Sequence, residues 1–115
     1  MAQVTFTPSS NTFAVPFTAN VSNVSLGNQG TDLSTLYKID NSSGNLCFVA
    51  FGTTQAAVAN ISHPTPGTGN SQPVIAIRTG ETTYVNPNLG IRNGGVWVGV
   101  ISISGTGNIY IQPGV

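Results

Sequence analysis

The stretch GVWVGVISISGTGNIYIQPGV, Gly95–Val115, holds no charged residue. Its longest apolar run, Val96–Ile101, is far shorter than the roughly 20 residues that a membrane-spanning helix needs. The small residues of Gly105–Gly107 suit a tight turn, and β-branched residues flank them. The stretch is therefore predicted to form a long strand, a turn and a return strand rather than a membrane segment.

The first of these strands is apolar on both faces. Side chains of a strand point alternately to its two faces. The two sets are Val96, Val98 and Val100 on one face, and Trp97, Ile101 and Ile103 on the other. We expect one face to lie in the domain core and the other against a second layer or a neighbouring subunit. Val96, Trp97 and Val98, with Tyr110 on the return strand, are therefore candidate interface residues.

Charge is scarce along the whole chain of 115 residues. Lys and Arg together number 3, as do Asp and Glu, so charged residues make up 5% of the sequence, where about 25% is typical. Binding of phosphate groups needs clustered Lys and Arg, so we expect neither nucleic acid nor a membrane as a partner. Because a net charge of zero does not repel a second copy, the composition favours a homo-oligomer.

Short strands joined by tight turns are predicted throughout, since β-branched residues and turn formers dominate. The predicted strands are about Val4–Thr7, Thr12–Thr18, Val21–Leu26, Leu36–Asp40, Leu46–Phe51, Val74–Arg78, Thr82–Val85, Val96–Ser104 and Asn108–Gln112. Residues 53–60 are ambiguous between a helical turn and a strand. The spacing predicts an all-β chain: a single domain over residues 1–115, a β-sandwich or jelly roll of about eight to nine short antiparallel strands. Residues 1–20 are expected to form an extended N-terminal arm or an edge strand.

Two hairpins are expected, one turning at Asp40–Asn45 and one at Gly105–Gly107. The longest loop, residues 60–72, holds His63, Pro64 and Pro66. Long loops on small β domains often contact a partner, which makes these three further candidate interface residues.

His63 and Cys47 are the first residues to consider for catalysis. A Ser–His–Asp triad would need Asp32 or Asp40 to orient His63, and no G-x-S-x-G elbow exposes a serine. Cys47 alternates within an apolar strand, where cysteine behaves as a small hydrophobe. One His and one Cys cannot form a zinc site. We expect no enzyme activity, no metal and no cofactor.

Two binding alternatives remain open. DNSSGN, Asp40–Asn45, has oxygen ligands at alternate positions and a glycine for the bend, as calcium loops do, but it carries one carboxylate. A turn between strands is the preferred interpretation. Tyr84, Trp97 and Tyr110 could stack on a sugar, with Asp40 and Asn side chains as hydrogen-bonding partners, although Tyr and Trp in strands are more often structural.

The N-terminus has neither a basic region nor an apolar region of the kind that marks a secretory signal. The single cysteine, Cys47, cannot form an internal disulfide. Both features favour folding in a cytoplasm.

Three pieces of the chain resemble small virion proteins of tailed bacteriophages. They are NLCFVAFGTTQAAVA, which includes Leu46–Gly52, VIAIRTGETTYV, which includes Gly80–Glu81, and GNIYIQPGV, which includes Ile109–Gly114. The likeness covers about Tyr37–Val115, and residues 1–35 carry no recognisable motif.

The resemblance implies a capsid decoration or cement protein, structural and non-catalytic. Such a protein would be made in the host cytoplasm and bind the major capsid protein on the outer surface of the virion. It would act as an oligomer, with a trimer favoured, and stabilise the junctions between capsomers. The alternatives are a phage tail, receptor-binding or carbohydrate-binding β-domain, and a head–tail accessory protein.

Overall fold

The computed structural model of the chain describes residues 6–8, 12–27, 36–69, 73–87 and 96–114. These residues form eight strands and one short helix. The elements are β1 (Phe13–Phe17), β2 (Ser22–Gly27), β3 (Leu36–Asp40), β4 (Cys47–Gly52), α1 (Gln55–Val58), β5 (Ile75–Ile77), β6 (Thr82–Val85), β7 (Val96–Ser102) and β8 (Gly107–Gly114). Each strand overlaps a predicted one, and α1 lies in the ambiguous segment 53–60. The predicted strand Val4–Thr7 lies partly outside the described residues, and its Phe6 and Thr7 are not in a strand.

The strands form two four-stranded antiparallel sheets. Sheet A has the order β1-β8-β3-β6 and sheet B has the order β2-β7-β4-β5. The first strand pairs with the last, β1 with β8, and the next pairs follow inward along the chain: β2 with β7, β3 with β6 and β4 with β5. Two further pairs, β3 with β8 and β4 with β7, complete the two sheets. This is the jelly-roll form of a β-sandwich. The predicted all-β sandwich is confirmed.

The two predicted hairpins are wrong, although their strands are correctly placed. β3 and β4 belong to different sheets, and so do β7 and β8. Asp40–Asn45 and Gly105–Gly107 therefore carry the chain from one sheet to the other. A turn signal indicates that the chain reverses, but it does not distinguish two paired strands from two strands that face each other about 10 Å apart.

The main core lies between the sheets and is built from their inward-facing side chains. Its fully buried members are Val15, Phe17, Leu26, Tyr37, Ile39, Cys47, Val49, Ile77, Val96, Val98, Val100, Ile109 and Ile111. The expectation that Val96 and Val98 contact a partner is thereby corrected. The valine face of β7 packs against sheet A, so neither side chain reaches the surface.

A second apolar cluster covers the outer side of sheet B. Its buried members are Phe48, Ala50, Val58, Ile61 and Ile101, and Trp97 packs against them. Thr54 caps α1 by accepting a hydrogen bond from the backbone N–H of Ala57 at 3.2 Å. A Cβ on Gly99 would lie 2.7 Å from the carbonyl oxygen of Val58, so this glycine lets α1 approach β7 closely. The chain's own helix and the segment after it thus form a second layer over the Trp97 face.

The N-terminal part of the described chain runs along sheet A. β1 is an edge strand of this sheet, and Pro8 forms an isolated bridge with Gly114 of β8.

Within the described ranges, no helix has the length and apolar character required to cross a lipid bilayer.

Candidate binding face on sheet A

The outer side of sheet A exposes a mixture of aromatic and polar side chains. Along β3, Tyr37 and Ile39 point into the core, so the residues between them point outward. The same alternation applies to the neighbouring strands. We call this surface the open face; its residues are Ala14, Pro16, Leu36, Lys38, Asp40, Thr82, Tyr84, Asn108, Tyr110 and Gln112.

Strand register arranges the open face in rows. Asp40 lies opposite Tyr110 of β8 on one side and opposite Thr82 of β6 on the other. In the next row, Lys38 lies between Gln112 and Tyr84. The two tyrosines therefore stand at opposite corners of a small polar area.

Both tyrosine rings are accessible. Tyr110 is 40% exposed and Tyr84 is 37% exposed. Tyr84 also packs against Phe6, with ring centroids 5.6 Å apart, which restrains its ring. Because the two tyrosines are separated by two strand spacings and two residues along the strands, their Cα atoms are about 12 Å apart.

The centre of the open face is charged but balanced. Lys38 Nζ lies 3.9 Å from Asp40 Oδ2, and the Thr82 hydroxyl donates a hydrogen bond to Asp40 Oδ1. An exposed pair of this kind contributes little to stability. It does give the face a net charge near zero and several hydrogen-bonding atoms.

A cleft of about 180 Å³ lies where β3 ends and β6 begins. Its lining residues are Asp40, Asn41, Ser42, Gly80, Glu81 and Thr82. Two backbone hydrogen bonds fix its walls: Asn41 N–H donates to the Glu81 carbonyl at 3.0 Å, and Gly80 N–H donates to the Asn41 carbonyl at 2.6 Å. The Glu81 carboxylate accepts a hydrogen bond from the backbone N–H of Arg78 at 2.8 Å. The cleft thus adds a second carboxylate to the edge of the open face.

The side chain of Asn41 explains why DNSSGN folds as a turn. Its Nδ2 donates to the carbonyl oxygens of Asn45 at 2.9 Å and Ile77 at 3.0 Å, and its Oδ1 accepts from the backbone N–H and the hydroxyl of Ser43. The side-chain amide of Asn41 therefore holds the turn together. In the described part of the chain, no group of three or more His, Cys, Asp or Glu is placed to hold a metal ion.

Of the three loop candidates, His63 lies on the other side of the molecule, over sheet B. The His63 ring stacks on Phe48 of the outer cluster, with centroids 6.2 Å apart, and its Nδ1 lies 3.1 Å from the Pro64 carbonyl oxygen. Pro66 is exposed in a tight turn between Thr65 and Thr68. The candidate interface residues therefore do not form one surface. They are divided between the core, the sheet B side and, for Tyr110, the open face.

The residues considered for catalysis are also separated. Cys47 lies in the core between the sheets, whereas His63 packs on the outer side of sheet B. Burial raises the pKa of the Cys47 thiol from its ordinary value of 9.0 to about 12. Asp40 contacts Lys38 and Thr82 on sheet A. Among the described residues, neither the Cys47 thiol nor the Asp40 carboxylate lies at the imidazole, and Asp32, the other carboxylate considered, is outside the described residues.

Three residues of the sugar-binding hypothesis do come together: Tyr84, Tyr110 and Asp40 share the open face, whereas Trp97 lies on the far side of the sandwich. The sequence analysis missed Lys38, whose outward position could have been inferred from the alternation in LYKID. No family model matches the chain, and no curated protein or solved structure matches it.

Proposed function

We propose that the protein is a structural component of a tailed-phage virion, which binds the outer capsid surface as an oligomer, with a trimer favoured, and stabilises junctions between capsomers. The observation that supports this most is the jelly roll, an architecture that viral capsid domains use. The pieces that resemble virion proteins lie on or next to β4, β6 and β8 of that roll. A fold alone does not assign a function, so the proposal depends on the resemblance as well.

The segment 65–69 is the proposed contact with the major capsid protein. All five of its residues are exposed. Its turn is held by reciprocal backbone hydrogen bonds between Thr65 and Thr68, at 3.3 and 2.9 Å, and Gly67 has the positive φ of 79° that the turn requires. A preorganised turn loses little conformational entropy on binding.

Stabilisation would come from binding alone. Each copy that spans a capsomer junction adds buried area that must be exposed again when capsomers separate. A specific interface of about 1,600 Å² is sufficient for stable association, and an oligomer that makes several such contacts gains avidity. The near absence of charge lowers the desolvation cost of such contacts.

The test is the copy number and effect of the protein in particles encoded by the same genome. Quantitative mass spectrometry should find copies in proportion to the major capsid protein. Particles without the protein should break open at a lower temperature, and adding purified protein should restore the original value. Only a few copies per particle, or an unchanged disruption temperature, would contradict the proposal.

The contact segment is tested by a matched pair of variants, Thr68→Glu and Thr106→Glu. Both threonines are exposed and lie in connections, so both substitutions add the same charge with little effect on folding. Thr68→Glu should weaken capsid binding at least about tenfold, because it places a carboxylate without a partner in the interface. Thr106→Glu should bind normally. Equal binding by both variants would exclude the segment 65–69 as the contact.

A further inference from the structure

The open face carries exposed aromatic side chains that have no part in the proposed capsid contact, which is made by the segment 65–69. Among the described residues, three large hydrophobic side chains are exposed, and two of them, Tyr84 and Tyr110, lie on this face. The outer side of sheet B differs, since its Phe48, Ala50 and Ile101 are buried together with Val58 of α1 and Ile61. In the described part of the chain, Tyr84 is contacted by Phe6, and both tyrosines of sheet A remain exposed.

The chemistry of the open face selects among ligand classes. Its one cation, Lys38, is paired with Asp40, so the face offers no net charge to an anionic ligand. The centre of a protein–protein interface is usually depleted of charged residues and enriched in apolar contact. Here the ion pair lies on the central strand β3, between Tyr110 on the neighbouring central strand β8 and Tyr84 on the edge strand β6. A neutral ligand rich in hydroxyl groups fits this pattern better than a protein surface.

We propose that the open face binds a neutral linear oligosaccharide, with Tyr110 and Tyr84 each packing against one sugar ring. The C–H face of a pyranose is apolar and packs on an aromatic ring, while the phenol hydroxyl remains available for hydrogen bonding. Asp40, Lys38 and Thr82 lie between the rings and bind sugar hydroxyls. This binding is additional to the proposed capsid function.

The geometry sets the size of the ligand. With about 12 Å between the tyrosine Cα atoms, one monosaccharide cannot contact both rings, whereas a short linear chain can. Phe6 holds the Tyr84 ring, which reduces the entropy lost when a sugar stacks on it. The cleft beside Asp40 adds the Glu81 carboxylate, which can accept further hydrogen bonds besides the one from Arg78.

The test is calorimetric titration of the full chain with neutral gluco-oligosaccharides from two to six units, alongside an array of neutral oligosaccharides and purified bacterial surface polysaccharides. Affinity should rise with chain length until both tyrosines are occupied. Tyr110→Ala and Tyr84→Ala should each weaken binding about tenfold, and Tyr110→Phe should change it by less than about twofold, because the ring is retained. If the chain binds only the neutral oligosaccharides, or only the bacterial surface polysaccharides, that set identifies the source of the ligand.

Ile103→Ala is the matched control, because Ile103 is 54% exposed and lies outside the open face. It should bind sugars as the unmodified chain does. The proposal is overturned if the unmodified chain binds no glycan on the array, or if Tyr110→Ala leaves binding unchanged. It is also overturned if Tyr110→Ala lowers the oligomer mass in light scattering, since the face would then be a subunit contact. Thr68→Glu should keep sugar binding while losing capsid binding, so the two proposals fail separately.

Discussion

Replacing Asn41 with alanine should destabilise the protein by about 2–4 kcal/mol, although the residue lies in a connection between strands. Asn41 is 1% exposed. It follows β3 of sheet A, yet it donates a hydrogen bond to the carbonyl oxygen of Ile77 in β5 of sheet B. The side chain therefore fastens the two sheets together at one edge of the sandwich.

The magnitude follows from what each lost hydrogen bond leaves behind. Alanine removes the donor to the buried Ile77 carbonyl, which costs about 1–3 kcal/mol when nothing replaces it. The bond to the Asn45 carbonyl contributes about 0.5–1.5 kcal/mol more. The two bonds from Ser43 add little to the loss, because Ser43 is only half-buried and water can reach its donors.

Urea and thermal unfolding followed by circular dichroism measure the effect. For a domain of this size, the expected loss lowers the unfolding temperature by about 10–20 °C. Ser42→Ala is the control, because Ser42 is adjacent and exposed. Asn41→Asp keeps the acceptor and loses the donor at neutral pH, so it should also be destabilised and should partly recover in acid, where the protonated carboxyl can donate. If Asn41→Ala lies within about 0.5 kcal/mol of Ser42→Ala, the proposed link between the sheets is refuted.

Three further predictions concern the glycines and the cysteine. Gly99→Ala should lower the free energy of unfolding by about 1–3 kcal/mol, because its Cβ would lie 2.7 Å from the Val58 carbonyl oxygen; an unchanged urea midpoint would contradict the close packing of α1. Gly44→Ala, where a Cβ meets nothing within 4 Å, should leave stability unchanged or raise it by up to about 1 kcal/mol in the same assay. Since burial raises the pKa of the Cys47 thiol from 9.0 to about 12, the unfolded chain loses this proton first, and stability relative to Cys47→Ala should fall as the pH rises from 9 towards 12. Urea unfolding of both proteins across this range measures the difference, and parallel curves would show that the thiol is not buried.

The positions of the strands could be predicted because local chemistry determines them. β-branched residues alternate or run together in each strand, and Gly, Asn, Ser and Pro interrupt them. The burial of β7 on both sides could also be predicted, since VWVGVIS is apolar at nearly every position and each of its residues is buried or half-buried. What lies over each side could not be read from the strand itself.

The pairing of the strands could not be predicted, because it depends on contacts between distant parts of the chain. A jelly roll pairs the first strand with the last, and β1 meets β8 through the register Phe13 to Ile111. The turn signals at Asp40–Asn45 and Gly105–Gly107 are equally compatible with a hairpin and with a crossing between sheets. The bond from Asn41 to Ile77, which favours the crossing, joins residues 36 positions apart.

The same limit applies to the open face, and it explains why Trp97, which lies on the other side of the sandwich, was grouped with Tyr84 and Tyr110. Alternation in LYKID and in GNIYIQPG assigns Lys38, Asp40 and Tyr110 to outward positions from local sequence alone. Tyr84 joins them only because β3 pairs with β8 on one side and β6 on the other. The strands of sheet B could not form such a face, because β4 and β7 are apolar on both sides and require α1 as a cover. One sheet therefore uses its outer side for stability, whereas the described residues leave two tyrosines exposed on the outer side of the other sheet.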